Sequence, residues 1–363
     1  MQLEQEQIEC YLSHFWNAPI QVKQMRDLGG TLSGSSALKA FTYGKPLLIE
    51  LEVEGQSEQV VLRQINRNGF GRERDPDRMA EVWLNYMTFN KLPRHVAAID
   101  IIALKDDEQL VSCNQISDFL LLTTFAAGTP YASDLIRIRD EQTCTPLDIE
   151  RAETLASYLA EIHAKRYDDP LLWRRRLRDL IGHGEGIMGL TDSYPVGFAL
   201  ASGDNLRNIE EAANRWRWKL KPLSHRLAQV HGDFHPFNIL FEGRTDLHLL
   251  DRSRGEWGDP ADDVSCLSIN YLFFSLQAFE EFKEPFVTLY RAFWQRYLGE
   301  HTDPELFHAI QPWIAWRALV LASPQWYPNL TPTVRHILLT FAQRVLETEQ
   351  FDWVGVERYW QET

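Results

Sequence analysis

A short β-type segment interrupts a long helical region in the second half of the sequence. Two apolar runs, residues 238–241 and 247–250, flank a turn at Gly243. Short apolar runs on either side of a glycine turn predict a β-hairpin. The surrounding residues repeat apolar side chains at helical spacing. A hairpin inside a helical lobe is therefore the strongest constraint that the sequence places on the fold.

The first third of the chain has a different pattern, with short β-type runs between turns. A helix is predicted over residues 2–17, and another from Pro76 to Leu92 with Asp75 as its N-cap. Strands are predicted at residues 47–53, 60–65, 99–104 and 119–124. Later helices are predicted at residues 146–165, 205–220, 276–300, 304–322 and 332–347. We expect an α+β fold with two lobes: a β-rich N-terminal lobe over residues 1–126, and a larger helical C-terminal lobe over residues 127–363.

Composition narrows the class of protein. Of the 363 residues, 44% are hydrophobic, and the formal net charge is −14. So acidic a chain repels phosphate backbones, which argues against a nucleic-acid partner. No uncharged apolar run approaches the roughly 20 residues that span a bilayer, and the acidic N-terminus does not resemble a signal peptide. The four cysteines are scattered and suit a reducing compartment. We expect a cytoplasmic protein with no membrane partner; the sequence does not indicate its oligomeric state.

Three polar residues surround the predicted hairpin. Asp233 precedes it on a loop, Asn238 begins its first strand, and Asp251 follows its second strand. Antiparallel pairing brings the last two to the same end of the hairpin. Carboxylate and amide oxygens are the ligands that magnesium prefers, and phosphoryl transfer needs little more than this metal and a carboxylate for the attacking hydroxyl. The pattern is typical of a magnesium–phosphate site with a base beside it.

The segment HGDFHPFN at residues 231–238, followed by Asp251, by Gly-Asp-Pro at 258–260 and by Asp263, resembles the core of a known family. This is the family of aminoglycoside phosphotransferases and choline kinase-like enzymes. The resemblance extends more loosely over about residues 25–275 and implies a protein kinase-like bilobal fold. It also implies transfer of the γ-phosphate of magnesium–ATP, or magnesium–GTP, to a hydroxyl of a small molecule. The last 90 or so residues carry no motif.

The resemblance assigns a role to each motif residue. Asp233 would be the catalytic base, and Asn238 and Asp251 would be the Mg²⁺ ligands. His231 would brace the loop, and Asp263 would cap it by accepting backbone hydrogen bonds. The nucleotide would be bound by a glycine-rich loop at residues 29–34, by a phosphate-contacting arginine paired with a glutamate, and by a hinge at the adenine edge: Gly29, Gly30, Gly34, Arg63, Glu81, Thr123, Thr124 and Phe125.

Two departures from the kinase pattern qualify these assignments. Arg63 stands where the kinase fold commonly has lysine, and an arginine fork is not equivalent to an ammonium group. Lys39 is a second candidate for that role. Gly232 stands where protein kinases have an arginine that reads phosphorylation, and the segment 251–260 is short and lacks an Ala-Pro-Glu ending. Both features favour a small-molecule kinase without a phosphorylation switch.

Two alternatives remain. In a metal-dependent hydrolase, the alternating His231, Asp233 and His235 would bind a transition metal. In a non-catalytic kinase-like module, the chain would bind nucleotide without turnover. The three intact residues of the motif argue against the second alternative, because a binding module has no chemical need for all of them.

The acceptor is not specified by the motif. The acidic balance, the pair Glu280-Glu281, and Glu256 beside Trp257 favour a hydroxyl compound with a positive charge, such as an amino alcohol or an aminoglycoside-like sugar. The alternative is a neutral sugar or hydroxy acid, with the acidic surface residues contributing to solubility alone.

Overall fold

The computed structural model of the protein describes residues 4–28, 46–116 and 119–361. The chain divides into two compact units, Met1–Thr123 and Thr124–Thr363. The described part of the first unit contains short strands and two helices, and the second unit is larger and mainly helical. The predicted α+β fold class is confirmed.

A three-stranded antiparallel sheet lies in the first unit. Its strands are β1 (Ile20–Asp27), β2 (Leu47–Val53) and β3 (Gln56–Leu62), in the order β1-β2-β3. The other elements are α1 (Gln5–Trp16), α2 (Asp75–Phe89), β4 (Ile102–Leu104) and β5 (Leu110–Ser112), with β4 and β5 paired antiparallel. Ile8 and Leu12 of α1 are buried with Val22, Ile49 and Leu51 of the sheet, which makes a small apolar core.

Several predicted boundaries in this unit need correction. Strand β1 was not predicted, because its charged residues leave only a weak β pattern. Helix α2 begins at Asp75, one residue before the predicted start at Pro76. Its N-cap is therefore Arg74 and not Asp75, since the Asp77 side chain accepts the Arg74 backbone N–H at 2.9 Å. Residues 119–124 form no strand, and Leu122 in this stretch is 97% exposed. An apolar run favours a strand, but pairing decides whether one forms.

Helices make up most of the second unit: α3 (Tyr131–Glu141), α4 (Pro146–His163), α5 (Pro170–Gly182), α6 (Ile187–Asp192), α7 (Gly203–Leu220), α8 (Pro260–Phe279), α9 (Phe286–Glu300), α10 (Leu306–Ala309), α11 (Gln311–Ala322) and α12 (Pro332–Leu346). Helix α8 is buried from Pro260 to Leu276. The single helix predicted at 276–300 is therefore wrong: α8 ends in a left-handed residue, Glu280, and α9 begins after Pro285. No helix among the described residues is long and apolar enough to cross a membrane.

The predicted hairpin forms and acquires a third strand. Its strands are β8 (Ile239–Glu242) and β9 (Asp246–Leu249), and β6 (Thr129–Pro130) pairs with β8. A separate pair joins β7 (Ala228–Gln229) to β10 (Trp257–Gly258). The last hydrogen bond of the hairpin runs from the N–H of Leu250 to the carbonyl of Asn238, at 2.9 Å. Asn238 and Asp251 therefore lie at the same end of the hairpin.

Candidate active site

The loop between β7 and β8 carries the HGDFHPFN motif. Gly232 has φ +87°, a left-handed conformation that side chains rarely adopt. A Cβ atom at this position would also come within 3.3 Å of the Cβ of Arg254. The backbone geometry and this close approach together explain why glycine precedes Asp233.

Asp263, in the first turns of α8, holds this loop in place. Its two carboxylate oxygens accept the backbone N–H groups of His231, at 2.8 Å, and of Gly232, at 2.7 Å. His163 Nε2 lies 3.2 Å from the same carboxylate. Burial raises the pKa of Asp263, but the hydrogen bonds and charges around it, those of His163 first, outweigh this and lower the pKa overall. The predicted capping role of Asp263 is confirmed.

The carboxylate of Asp233 is partly buried and lies between two arginines. Its Oδ1 is 2.8 Å from Arg317 Nη1 and 2.7 Å from Arg254 Nη1. Its other oxygen, Oδ2, lies 3.6 Å from His235 Nε2. Burial raises the pKa of Asp233, but the positive charges of Arg317 and Arg254 more than compensate and lower it to about 2. The carboxylate is therefore ionised at neutral pH.

Arg317 lies in α11, in the stretch where the sequence offered no motif. Its Nη2 donates to the Gly232 carbonyl at 2.9 Å and to Asp262 Oδ1 at 2.5 Å. Arg254 is three residues after Asp251, and its Nη1 donates to the same carbonyl at 3.1 Å. Both guanidinium groups lie over the Trp316 ring, with the Arg317 Cζ 4.0 Å from the ring centroid. One sequence signal pointed to Arg317: it is a single charge in an apolar helix, and a buried charge needs a partner.

Asn238 and Asp251 have different environments. The Asn238 side chain donates to the Asp233 carbonyl at 3.1 Å, so its amide is fixed beside Asp233. Asp251 is exposed and has a left-handed backbone, φ 54°. Oxygen ligands of this kind suit a hard divalent cation. Among the described residues, no group of three or more His, Cys, Asp or Glu side chains is arranged to hold a metal ion.

The residues predicted to bind nucleotide lie mostly in the first unit. Gly29, Gly30, Gly34 and Lys39 fall outside the described residues. Arg63 follows the end of β3 and is exposed, and Glu81 lies in α2. Glu81 pairs with Arg72, whose Nη2 donates to Glu81 Oε1 at 2.8 Å, and not with Arg63 as predicted. The pairing of Arg72 with Glu81 was not predictable from the sequence, because several arginines lie between β3 and α2.

The predicted hinge spans the boundary between the two units. Thr123 is the last residue of the first unit, and Thr124 and Phe125 begin the second. Phe125 is 92% exposed. The adenine-binding role of these three residues stays a prediction.

The sequence profile of the phosphotransferase enzyme family matches residues 53–313. The match covers most of the chain, including the hairpin and its polar residues. The chain belongs to this family. Membership confirms the predicted resemblance to this family. A comparison with curated proteins finds no match.

Among solved structures, the chain is similar to a glucosamine kinase in complex with glucosamine, ADP and inorganic phosphate. The sequences are 18% identical, the match covers 58% of each chain, and the TM-score is 0.40. The chain thus spans less than two thirds of that kinase. Other similar structures are an amicoumacin kinase (14% identity, 92% of each chain, TM-score 0.42) and a choline kinase from Cryptosporidium parvum (10% identity, 90% of this chain and 89% of the other, TM-score 0.36).

Proposed function

We propose that the protein transfers the γ-phosphate of magnesium–ATP, or magnesium–GTP, to a hydroxyl group of a small molecule. The observation that carries this proposal is the environment of Asp233. Its carboxylate is ionised and held by two arginines on a loop that Asp263 fixes through two backbone hydrogen bonds. Phosphoryl transfer depends mainly on positioning and charge, and such a fixed carboxylate meets the first requirement.

Asp233 would act on the acceptor hydroxyl. A carboxylate with a pKa of about 2 is a weak base, so it would orient the hydroxyl and accept its proton late in the transfer. This order suits a loose transition state, in which bond formation to the attacking oxygen is little advanced. The Asp233 oxygen that faces His235 and Asn238, Oδ2, is the atom we assign to this contact.

Asn238 and Asp251 would hold the magnesium ion, which would neutralise charge on the phosphates. Both offer hard oxygen atoms, and both lie at one end of the β8–β9 hairpin. In the first unit, we propose that Arg63 contacts phosphate without Glu81, because Glu81 already pairs with Arg72. The glycine-rich loop with Gly29, Gly30 and Gly34 would cover the phosphates, and Thr123, Thr124 and Phe125 would meet the base.

The acceptor would lie near two surfaces of unlike charge. Arg317 and Arg254 make the surroundings of Asp233 cationic. Shortly after Arg254 in the chain, Trp257 stacks on Tyr167 with ring centroids 4.6 Å apart. The Nε1 of Trp257 donates to Glu256 Oε1 at 2.7 Å. An aromatic face beside a carboxylate suits an ammonium group. We therefore propose an amino alcohol or amino sugar with its amine at Glu256 and its hydroxyl at Asp233.

A coupled assay for ADP release tests the proposed function. The acceptors are amino alcohols, aminoglycosides, neutral sugars and hydroxy amino acids, each with magnesium and then with a chelator. We expect ADP release that requires both an acceptor and the divalent cation. Hydrolysis of phosphate esters by a zinc-loaded protein, without ATP turnover, would instead support the hydrolase alternative. Nucleotide binding without turnover on any acceptor would support the non-catalytic module.

A further inference from the structure

Arg317 in α11 contacts the loop between β7 and β8 that carries Asp233, which we call the catalytic loop. It lies beyond residue 313, where the family match ends, and its side chain is 6% exposed. A guanidinium so deeply buried is costly unless its donors are satisfied. Two of its nitrogens reach three acceptors: Asp233 Oδ1 at 2.8 Å, the Gly232 carbonyl at 2.9 Å and Asp262 Oδ1 at 2.5 Å. Two of these acceptors belong to the loop, and the third belongs to α8.

The contacts of Arg317 fix how the Asp233 carboxylate is turned. Arg317 and Arg254 both bind Oδ1, so this oxygen is directed at the two guanidinium groups. The second oxygen, Oδ2, is then directed toward His235, at 3.6 Å, and the Asn238 amide, at 3.5 Å. Rotation of the carboxylate would break the charge-assisted hydrogen bond from Arg317, a type about twice as strong as a neutral one, and the ion pair with Arg254.

We propose that Arg317 is a positioning residue for phosphoryl transfer: from α11 it holds Asp233 by Oδ1 and so aims Oδ2 at the acceptor hydroxyl. Asp262 anchors Arg317 from α8, and the Trp316 ring supports the guanidinium plane at 4.0 Å. This inference rests on the proposed function, because it takes Asp233 to be the residue that contacts the acceptor.

The geometry of the contact requires an arginine. Its planar fork contacts Asp233 with Nη1, and the Gly232 carbonyl and Asp262 with Nη2, whereas a lysine ammonium is a single point charge. Arg317→Lys therefore keeps the charge and removes the fork. A suitable control is Arg335→Lys, since Arg335 is also buried, lies in the neighbouring helix α12, and donates to the carbonyls of Ala322 and Tyr327, away from the loop.

Steady-state kinetics of the two variants test the proposal, with magnesium, ATP and the acceptor found by the screen. We expect Arg317→Lys to lower kcat by up to about 10²-fold, the scale associated with a misplaced catalytic group. The KM for ATP should stay unchanged, because Arg317 acts on Asp233, which contacts the acceptor and not ATP. Arg335→Lys should keep kcat even where it lowers the melting temperature. Equal kcat losses in both variants would overturn the proposal.

A double-mutant cycle with Asp233→Asn gives the readout that a purely structural role would not produce. If Arg317 acts through Asp233, then Arg317→Lys lowers kcat in the wild-type background but not further in the Asp233→Asn background. Multiplied losses in the double variant would overturn the positioning role and leave the proposed function intact. A wild-type rate in Asp233→Asn alone would contradict the assignment of Asp233, which keeps the two failures distinguishable.

A second variant covers the case in which Arg317→Lys does not fold. Asp262→Asn keeps the volume of the anchor and removes its charge, so Arg317 stays in place but is held more weakly. We expect a smaller kcat loss than in Arg317→Lys, again absent from the Asp233→Asn background. A loss of equal size in both backgrounds would contradict the proposal.

Discussion

Asp251 combines an exposed carboxylate with a left-handed backbone, φ 54°, just after β9. Aspartate tolerates this conformation better than most residues, and such backbone outliers tend to occur at functional sites. The position at the hairpin end was predictable from the sequence, because strand pairing alone brings Asp251 and Asn238 together. The backbone conformation was not, because it depends on how the chain leaves the strand.

Replacing Asp251 with alanine should weaken magnesium-dependent nucleotide binding, because a charged oxygen ligand is lost. Thermal-shift titrations with ATP, with and without magnesium, measure the effect. Asp251→Gly is the matched control for backbone strain, since glycine accepts a positive φ. Both variants should lose the magnesium-dependent shift. Retention of the shift in either one would rule out Asp251 as a ligand.

Arg254 and Arg317 illustrate what sequence reasoning missed at this scale. The motif identified Asp233 as a candidate base, but the partners of this carboxylate come from a loop after β9 and from α11. Arg317 is 84 residues away from Asp233 in sequence. A single chain without aligned relatives has no local pattern that pairs residues so far apart, so only the three-dimensional structure brings them together.

At the scale of the elements, the hairpin and most helices were predictable because their apolar spacing is strong and local. The boundary between α8 and α9 was not, since α8 is buried on all sides from Pro260 to Leu276 and its apolar residues show almost no helical periodicity. The sheet order β6-β8-β9 was also not predicted, because β6 is only two residues long. Both failures occur where burial and strand pairing, and not the periodicity of apolar residues, determine the secondary structure.

The link between α8 and the catalytic loop makes a prediction about Asp263. Asp263→Asn removes one of two acceptors for backbone N–H groups and should destabilise the protein by about 1–3 kcal/mol. It should also lower kcat, because the loop that carries Asp233 loses an anchor. Asp148→Asn is the matched control: Asp148 is likewise buried at the start of a helix but binds Thr145 and Arg137. Unfolding curves and kcat for both variants are the measurements.

We expect both variants to lose stability, and only Asp263→Asn to lose activity. An Asp263→Asn protein with wild-type kcat would mean that the two hydrogen bonds do not fix the loop for catalysis.

At the scale of the whole molecule, net charge is a poor guide to the site. The chain carries −14, but the carboxylate of Asp233 is paired with two arginines, and Arg176 donates to the Arg254 carbonyl at 2.6 Å. A sum over the sequence cannot report how charges are distributed in space. The acidic surplus therefore says nothing about the immediate surroundings of Asp233, which are cationic.

The stability of the fold should depend on pH through His301, which is buried beside His163 and Tyr297. Burial, together with the charge of His163, lowers the pKa of His301 to about 4. In the unfolded chain this residue binds a proton near its ordinary pKa of about 6.5. Its contribution to stability is therefore complete above that pH and is lost as pH falls toward about 4.

Comparison with His301→Phe isolates this effect from the carboxylates that also titrate. Urea unfolding of both proteins at several values between about pH 7.5 and 4.5 gives the difference in stability. We expect the free energy of unfolding of the wild type to fall relative to that of His301→Phe as pH falls across this range. A difference that does not change with pH would contradict the lowered pKa.

We propose that Asp233 directs transfer of a phosphate to an acceptor hydroxyl, and an experiment that follows the phosphate itself tests this role. The wild type, Asp233→Asn and a control are incubated with magnesium, γ-labelled ATP and the acceptor from the screen. The control is Asp246→Asn, because Asp246 is an exposed residue of the hairpin strand β9. Label should appear on the acceptor with the wild type and the control, and about 10²–10⁴-fold more slowly with Asp233→Asn, at unchanged ATP affinity. Label released only as inorganic phosphate would contradict transfer to an acceptor, and a wild-type rate in Asp233→Asn would contradict the role of Asp233.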